Sequence, residues 1–173
     1  MRKSACKPQF IEVHRLCQFN PRANDVDVVL DLMIHDIDIV LSIVNKKIES
    51  IEVSGKKILT NLTDIANVRI KFKDNIVANL TASRISTKNE RKMRIFSNNS
   101  YYSIDFINNK LKKIHKDRKN SFKVTDFNFK KTDVLDDEIN NFINTCLGKE
   151  KSMTTGTSGL EALIVAKKIS KGF

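Results

Sequence analysis

Apolar and polar residues alternate through Phe10–Leu16, FIEVHRL, which predicts a strand with one buried face. In the loop that follows, Asn20-Pro21 is a turn signal. The pattern then changes. Asp25 to Asn45, DVDVVLDLMIHDIDIVLSIVN, is too long for a strand and apolar nearly all round, so it predicts a helix buried on most sides. Strand-like runs come next: Ile48–Val53, Ile65–Phe72, Ile76–Ala82, Met93–Ser97, Tyr101–Phe106, Leu111–His115 and Phe122–Phe129. Asp74-Asn75, Asn98-Asn99 and Asn108-Asn109 punctuate them, and Asn tolerates the left-handed backbone of tight hairpin turns. Closely spaced hairpins predict an antiparallel meander. Within Val68–Phe72 the apolar residues take one side and Arg69 and Lys71 the other, so one face of the sheet meets a core and the other meets water. Two helices close the chain. Asp136 and Asp137 suit the start of the first, whose stripe is Ile139, Phe142, Ile143 and Leu147 and which stops at Gly148. The second, about Ser158 to Ser170, is expected to bury Leu160, Leu163, Ile164 and Ala166–Ile169. With no repeat and no linker, residues 1–173 are expected to form one α+β domain, an open, mainly antiparallel sheet with helices packed on one face.

Composition adds limits. The chain has 173 residues, 40% hydrophobic and 29% charged, with five Gly and two Pro, which is globular rather than disordered. That length holds no second domain of full size. Asp31, His35, Asp36 and Asp38 interrupt the longest apolar run, so no membrane span is expected, and MRKSACKPQF lacks the apolar core of a signal peptide. Cys6, Cys17 and Cys146 are odd in number with no CxxC spacing, which supports neither a disulfide framework nor a zinc site and suits a reducing cytoplasm.

The net charge of +11 invites a nucleic-acid reading. Yet the chain holds 23 Lys and only eight Arg, and Lys, Ile and Asn all have AT-rich codons, so genome composition accounts for the charge. Sequence-specific surfaces favour the planar fork of Arg. Lys110–Lys131, with Phe122, Phe127 and Phe129, has the basic and aromatic content of a single-strand binder, but alternation in a solvated hairpin yields the same string. Nucleic acid is not the expected partner.

Asp31, His35 and Asp38 fall at i, i+4 and i+7 of the apolar helix, on one face. Burying them is costly unless they are paired or line a cleft. Either they form a polar network inside the core, or they line a cleft in which His35 handles protons and a carboxylate sets its tautomer. A metal pair is a third option, without an obvious further ligand. His14 alternates with Glu12 on a sheet face, His115 lies in a Lys-rich strand, and Cys17 and Cys146 read as packing residues.

Asp31-Leu32-Met33-Ile34-His35-Asp36-Ile37-Asp38 has the form D-x3-H-x2-D, after one strand and before a meander. It resembles the helix signature of the C-terminal domain in the Gfo/Idh/MocA family of NAD(P)-dependent dehydrogenases. PQFIEVHRL is similar to that domain's first strand, DIANVRIKFKDNIVANLTASR to its central hairpin, and DVLDDEINNFI and TTGTSGLEALIVAKKIS to its closing helices. VVLDLMIHDIDIV and ANLTASR resemble members that oxidise the 3-hydroxyl of UDP-N-acetylglucosamine-type substrates.

The resemblance implies that Asp31 and His35 are the active-site pair, with His35 exchanging the hydroxyl proton and Asp31 holding substrate hydroxyls or orienting the imidazole. Asp38 would stand behind them. Arg84, which ends the strand near the substrate, would with Ser83 and Arg15 bind substrate; as a plain feature of the sequence, Arg84 equally fits an exposed strand-end cation. NAD or NADP would be bound mainly by an N-terminal Rossmann half. This sequence has no G-x-G-x-x-G and no Glu-Lys-Pro: Gly156 and Gly159 precede the last helix, and Lys7-Pro8 follows Cys6. The chain is therefore expected to be the substrate half of a sugar or sugar-nucleotide dehydrogenase, inactive without a separate nucleotide-binding partner and oligomeric through its sheet. The alternative is a non-catalytic module that dimerises through the sheet, or a relic of a truncated gene.

Overall fold

The computed structural model describes residues 7–21, 25–117, 121–152 and 154–173; Cys6, Arg118 and Lys119 lie outside them. Eight strands form one sheet: β1 (Pro8–Leu16), β2 (Ile48–Lys56), β3 (Ile65–Phe72), β4 (Val77–Ser83), β5 (Glu90–Ser97), β6 (Ser100–Asp105), β7 (Lys110–Lys116) and β8 (Phe122–Asn128). Their order across the sheet is β2-β3-β4-β1-β5-β6-β7-β8. All neighbours run antiparallel except β1 and β4, which are parallel. The expected α+β architecture with a mainly antiparallel sheet holds. The meander is split, however, because β1 inserts between β4 and β5.

Alternation explains which face is covered. Ile11 and Val13 of β1, Val68, Ile70 and Phe72 of β3, Ala78 and Leu80 of β4, and Met93 and Ile95 of β5 are all buried on one side. Against them lie Val29 and Met33 of a π-helical turn (Val29–Met33) and Ile37, Val40 and Val44 of α1 (Ile34–Val44), which continues it. Each large aliphatic side chain withdrawn in this way contributes about 1.5–3 kcal/mol. Asp27 starts the helix by accepting from Val29 N–H at 2.8 Å and Leu30 N–H at 3.1 Å. Asn45, at φ 47°, ends it in the left-handed conformation.

The hairpin between β3 and β4 turns on Asp74 and Asn75, both at positive φ, as the sequence leads one to expect. α2 (Val134–Cys146) begins two residues earlier than expected, where Asp133 accepts from Leu135 N–H at 3.0 Å. It buries none of its side chains, so only α1 and α3 (Gly156–Ser170) cover the sheet. α3 also differs from expectation. Ala162, Ala166 and Ile169, spaced i, i+4 and i+7, form its buried stripe, whereas Leu160 and Ile164 lie on the opposite side and are exposed. Small alanines let α3 approach α1 closely. A reciprocal Thr155–Ser158 capping box starts the helix.

The end of α3 is locked to the sheet by a close approach. A Cβ added at Gly55 on β2 would meet the Phe173 ring at 2.5 Å and Thr63 Cγ2 at 2.8 Å. Gly55→Ala is therefore expected to overpack this junction and destabilise the fold by about 1–3 kcal/mol. The check is a urea titration, with the midpoint falling and the slope unchanged.

Candidate active site

Four segments meet at the C-terminal end of β1: that strand end, the π turn with the start of α1, the end of β4 and the beginning of β5. The parallel β1–β4 pairing is prolonged by Cys17 N–H donating to Ser83 O at 2.8 Å, and Ser86 N–H returns to Cys17 O at 3.0 Å. On β1, Ile11, Val13 and Arg15 share the helix-facing side, so the third inward position is a charge. Arg15 donates Nε–H to Asp36 Oδ2 at 2.6 Å and Nη2–H to Asp36 Oδ1 at 2.8 Å. Asp36 is 1% exposed. This bidentate, charge-assisted pair pins the first turn of α1 to the sheet.

A second buried pair lies across the end of β4. Arg84 donates Nε–H to Asp64 Oδ1 at 2.9 Å, Nη1–H to Val26 O at 2.7 Å and Nη2–H to Thr60 Oγ1 at 2.9 Å. Asp64 also accepts the backbone N–H groups of Ile58, Leu59 and Thr60 at 2.7, 2.7 and 3.0 Å, and the Thr60 hydroxyl at 2.7 Å. Burial pushes the Asp64 carboxyl upward, but these hydrogen bonds outweigh it and hold it well below the usual carboxylate range. Asp64 is 0% and Arg84 3% exposed, so Arg84 is not an exposed strand-end cation. Its fork is bonded to Asp64, Thr60 and Val26. Ser83 is also 3% exposed, and its hydroxyl accepts Ile85 N–H at 3.3 Å. Both residues are buried. Arg15, half-buried, is bonded to Asp36.

Asp31 sits inside the π turn, whose wide bond runs from Ile34 N–H to Val29 O. Such turns recur at functional sites. His35 follows at the first turn of α1 and is exposed, while Asp31 and Asp38 are half-buried. No hydrogen bond or ion pair joins Asp31, His35 and Asp38, so they are not the closed polar network that sequence alone allowed. Burial raises the Cys17 thiol pKa, the Asp31 charge raises it further, and Arg15 and Arg84 oppose. Among the described residues, no group of three or more His, Cys, Asp or Glu could hold a metal ion.

Three residues here escaped sequence reasoning. Asp36 read as a spacer within D-x3-H-x2-D; the signal was Arg15, which breaks the inward apolar series of β1. Asp64 precedes β3 in a Thr/Asn-rich loop, with no pattern to mark it. Arg91 opens β5 opposite Arg15, with its guanidinium 5.0 Å from the centre of the Phe106 ring. His14 is on the open sheet face, its Nδ1 3.8 Å from Glu90 Oε1, while His115 has Nδ1 buried without a partner.

Residues 14–102 match a family model described as the GFO/IDH/MocA C-terminal domain. Over 167 residues the chain is 32% identical to UDP-N-acetylglucosamine 3-dehydrogenase from Acidithiobacillus ferrooxidans, covering 94% of this chain and 53% of that protein. A crystal form of that dehydrogenase superposes with a TM-score of 0.89 over 96% of this chain and 54% of its own. Levoglucosan dehydrogenase in complex with NADH shares the fold, with a TM-score of 0.82 at 10% identity over 96% of this chain and 56% of its own. The chain thus spans about half the length of the relatives it matches.

Removing Asp64 strands the buried Arg84 charge and four donors. Asp64→Ala is expected to cost about 3–5 kcal/mol at pH 7. The folded pKa is lowered, so this stabilisation is complete above the ordinary carboxylate range near pH ~4 and is lost only as pH falls toward the folded value. Urea midpoints of wild type and variant should therefore converge in strong acid and stay apart at neutrality.

Proposed function

Because the chain belongs to the GFO/IDH/MocA C-terminal-domain family, we propose that it is the substrate side of an NAD(P)-dependent dehydrogenase that oxidises a hydroxyl of a sugar nucleotide. The observation that carries this reading is the accessible His35 one turn beyond Asp31, on a helix clamped by Arg15–Asp36, in a chain 32% identical to a sugar-nucleotide dehydrogenase. A dinucleotide needs a glycine-rich strand-to-helix turn that presents backbone N–H groups to its pyrophosphate. The described residues do not fit it: beyond β1 and β4, the parallel pair, the chain closes on itself through Cys17, Ser83 and Ser86. The cofactor is assigned to a nucleotide-binding half, and this chain supplies the groups on the substrate side.

Those groups act by position. A neutral imidazole carries a nitrogen lone pair that can take up a proton, so His35 is suited to accept the proton of the reacting hydroxyl. Asp31, unpaired within the fold, orients either the imidazole or a neighbouring sugar hydroxyl. Arg15–Asp36 keeps the helix seated while that proton moves, since neither partner is free to leave.

The surfaces suit two further partners. Val134, Leu135, Ile139, Phe142 and Ile143 of α2 and Leu147 just after it are exposed, and Leu160 and Ile164 of α3 are exposed as well. An apolar patch of that kind marks an interface, and the nucleotide-binding half is its proposed occupant. The open sheet face carries a band that runs strand to strand through Val77, Phe10, Phe96, Tyr101, Ile114 and Val124. Beside it runs a charged row, Glu52, Arg69, Asn79, Glu12, Arg94, Ser103, Lys112 and Asp126. This face is the proposed contact with a second copy. It also favours the alternative reading, a non-catalytic module that dimerises through its sheet.

By itself the chain is expected to turn over no sugar nucleotide with NAD. Joined to a nucleotide-binding half it should do so, and His35→Ala should then lower kcat by about 10²–10⁴-fold with little change in KM. Full activity in that variant would remove His35 from the chemistry. Phe142→Glu should abolish association with that half in sedimentation, whereas a module that works alone would be indifferent to it.

A further inference from the structure

Arg91 is a charged side chain at this end of the sheet that the mechanism leaves without a task. It begins β5 on the helix-facing side, directly opposite Arg15 across the β1–β5 pairing. Both oxygens of Asp36 are committed to Arg15. Arg91 is half-buried, and no acceptor among the described residues takes a hydrogen bond or ion pair from its guanidinium. Its one close neighbour of note is the Phe106 ring, 5.0 Å from its Cζ. Nε is closed off, and the terminal nitrogens remain accessible.

At this end of the sheet the guanidinium groups of Arg15 and Arg91 stand opposite each other, and the buried Asp36 carboxylate is hydrogen-bonded to Arg15. Burial lowers the Arg91 pKa, the neighbouring Arg15 charge lowers it further and Asp36 partly compensates. Arginine stays protonated even so. A planar fork held on an aromatic face, with its ends free, matches the two oxygens of a phosphate or a carboxylate.

We infer that Arg91 is a substrate-anion residue: stacked on Phe106, it offers its terminal N–H groups to an oxyanion of the substrate bound at Asp31 and His35. This rests on the dehydrogenase reading of that site and adds to it the group that is recognised. The oxyanion is the diphosphate if the substrate is a sugar nucleotide, and a carboxylate if it is a sugar acid.

Calorimetric titration of the full chain at low salt tests this with UDP-N-acetylglucosamine, pyrophosphate, glucuronate and uncharged N-acetylglucosamine. Arg91→Gln should weaken the anionic ligand by about 10–100-fold and leave the uncharged sugar unchanged. Arg91→Lys, which keeps the charge and loses the fork, should recover part of the loss. Loss confined to UDP-N-acetylglucosamine and pyrophosphate identifies the diphosphate, and loss confined to glucuronate identifies the carboxylate. Mapping of phenylglyoxal adducts on the unmutated chain gives a second readout independent of folding: the same anion should protect Arg91. Unchanged affinities in Arg91→Gln, or no protection, overturn the inference and leave the dehydrogenase reading intact. Failure of the wild-type chain to bind any of the four ligands overturns both.

Discussion

The Asp64–Arg84 pair is the constraint on which the geometry of the candidate site depends. Two full charges at 0% and 3% exposure are tolerable only because each is saturated: Asp64 by four further donors, Arg84 by Thr60 and the Val26 carbonyl. Those bonds join parts of the chain with no other reason to meet. The loop before β3, the end of β4 and the residue that precedes the helix are tied at one point. Val28 N–H then donates to Thr63 O at 3.0 Å, so the start of the helix is set by the same loop. The π turn that carries Asp31 begins at the next residue.

Arg15–Asp36 acts one turn further along. The inward side of β1 is apolar at Ile11 and Val13 and becomes charged at Arg15. β5 mirrors this, with Ile95 and Met93 buried and Arg91 beyond them, opposite Arg15. The core thus ends abruptly, and what replaces it is a pair of guanidinium groups facing the first turn of α1. An apolar side chain at Arg15 would pack, but Asp36 would then be buried without a partner. A side chain fixed by packing and by a bidentate ion pair restricts its neighbours, and His35 is the adjacent residue.

What was legible in the chain was what repeats. Alternation located all eight strands, and positive-φ residues at Asp74 and Asn75 fall where a polar dipeptide marked a turn. The D-x3-H-x2-D spacing singled out Asp31 and His35, and the exposed His35 does not belong to a closed polar network. What escaped was what depends on partners distant in sequence. Asp36 is buried by Arg15, 21 positions away, and Arg84 by Asp64, 20 positions away. Local pattern assigns a charged residue to the surface by default, because its partner is invisible until the sheet order is known. The insertion of β1 between β4 and β5 is such an order, and it brings Arg15 beside Arg91. The α3 stripe failed for a different reason. Leu160 and Ile164 are more apolar than Ala162 and Ala166, but the close helix contact selects by size rather than by hydrophobicity.

That misreading of α3 bears on what the exposed surfaces mean. Had Leu160 and Ile164 faced α1, the outer side of the helix layer would be polar, as on a module finished by its own packing. They are exposed instead, as are Val134, Leu135, Ile139, Phe142 and Ile143 of α2. Helix propensity alone sustains a 13-residue helix only marginally in water, so α2 needs a tertiary surface to dock against. The sheet cannot provide it, since α1 and α3 already occupy its inner face. The outer face is a separate surface, ordered by strand register into one apolar band and one charged row. Opposite sides of the sheet therefore carry unrelated chemistry, with the titratable cluster at the strand ends on the helix side.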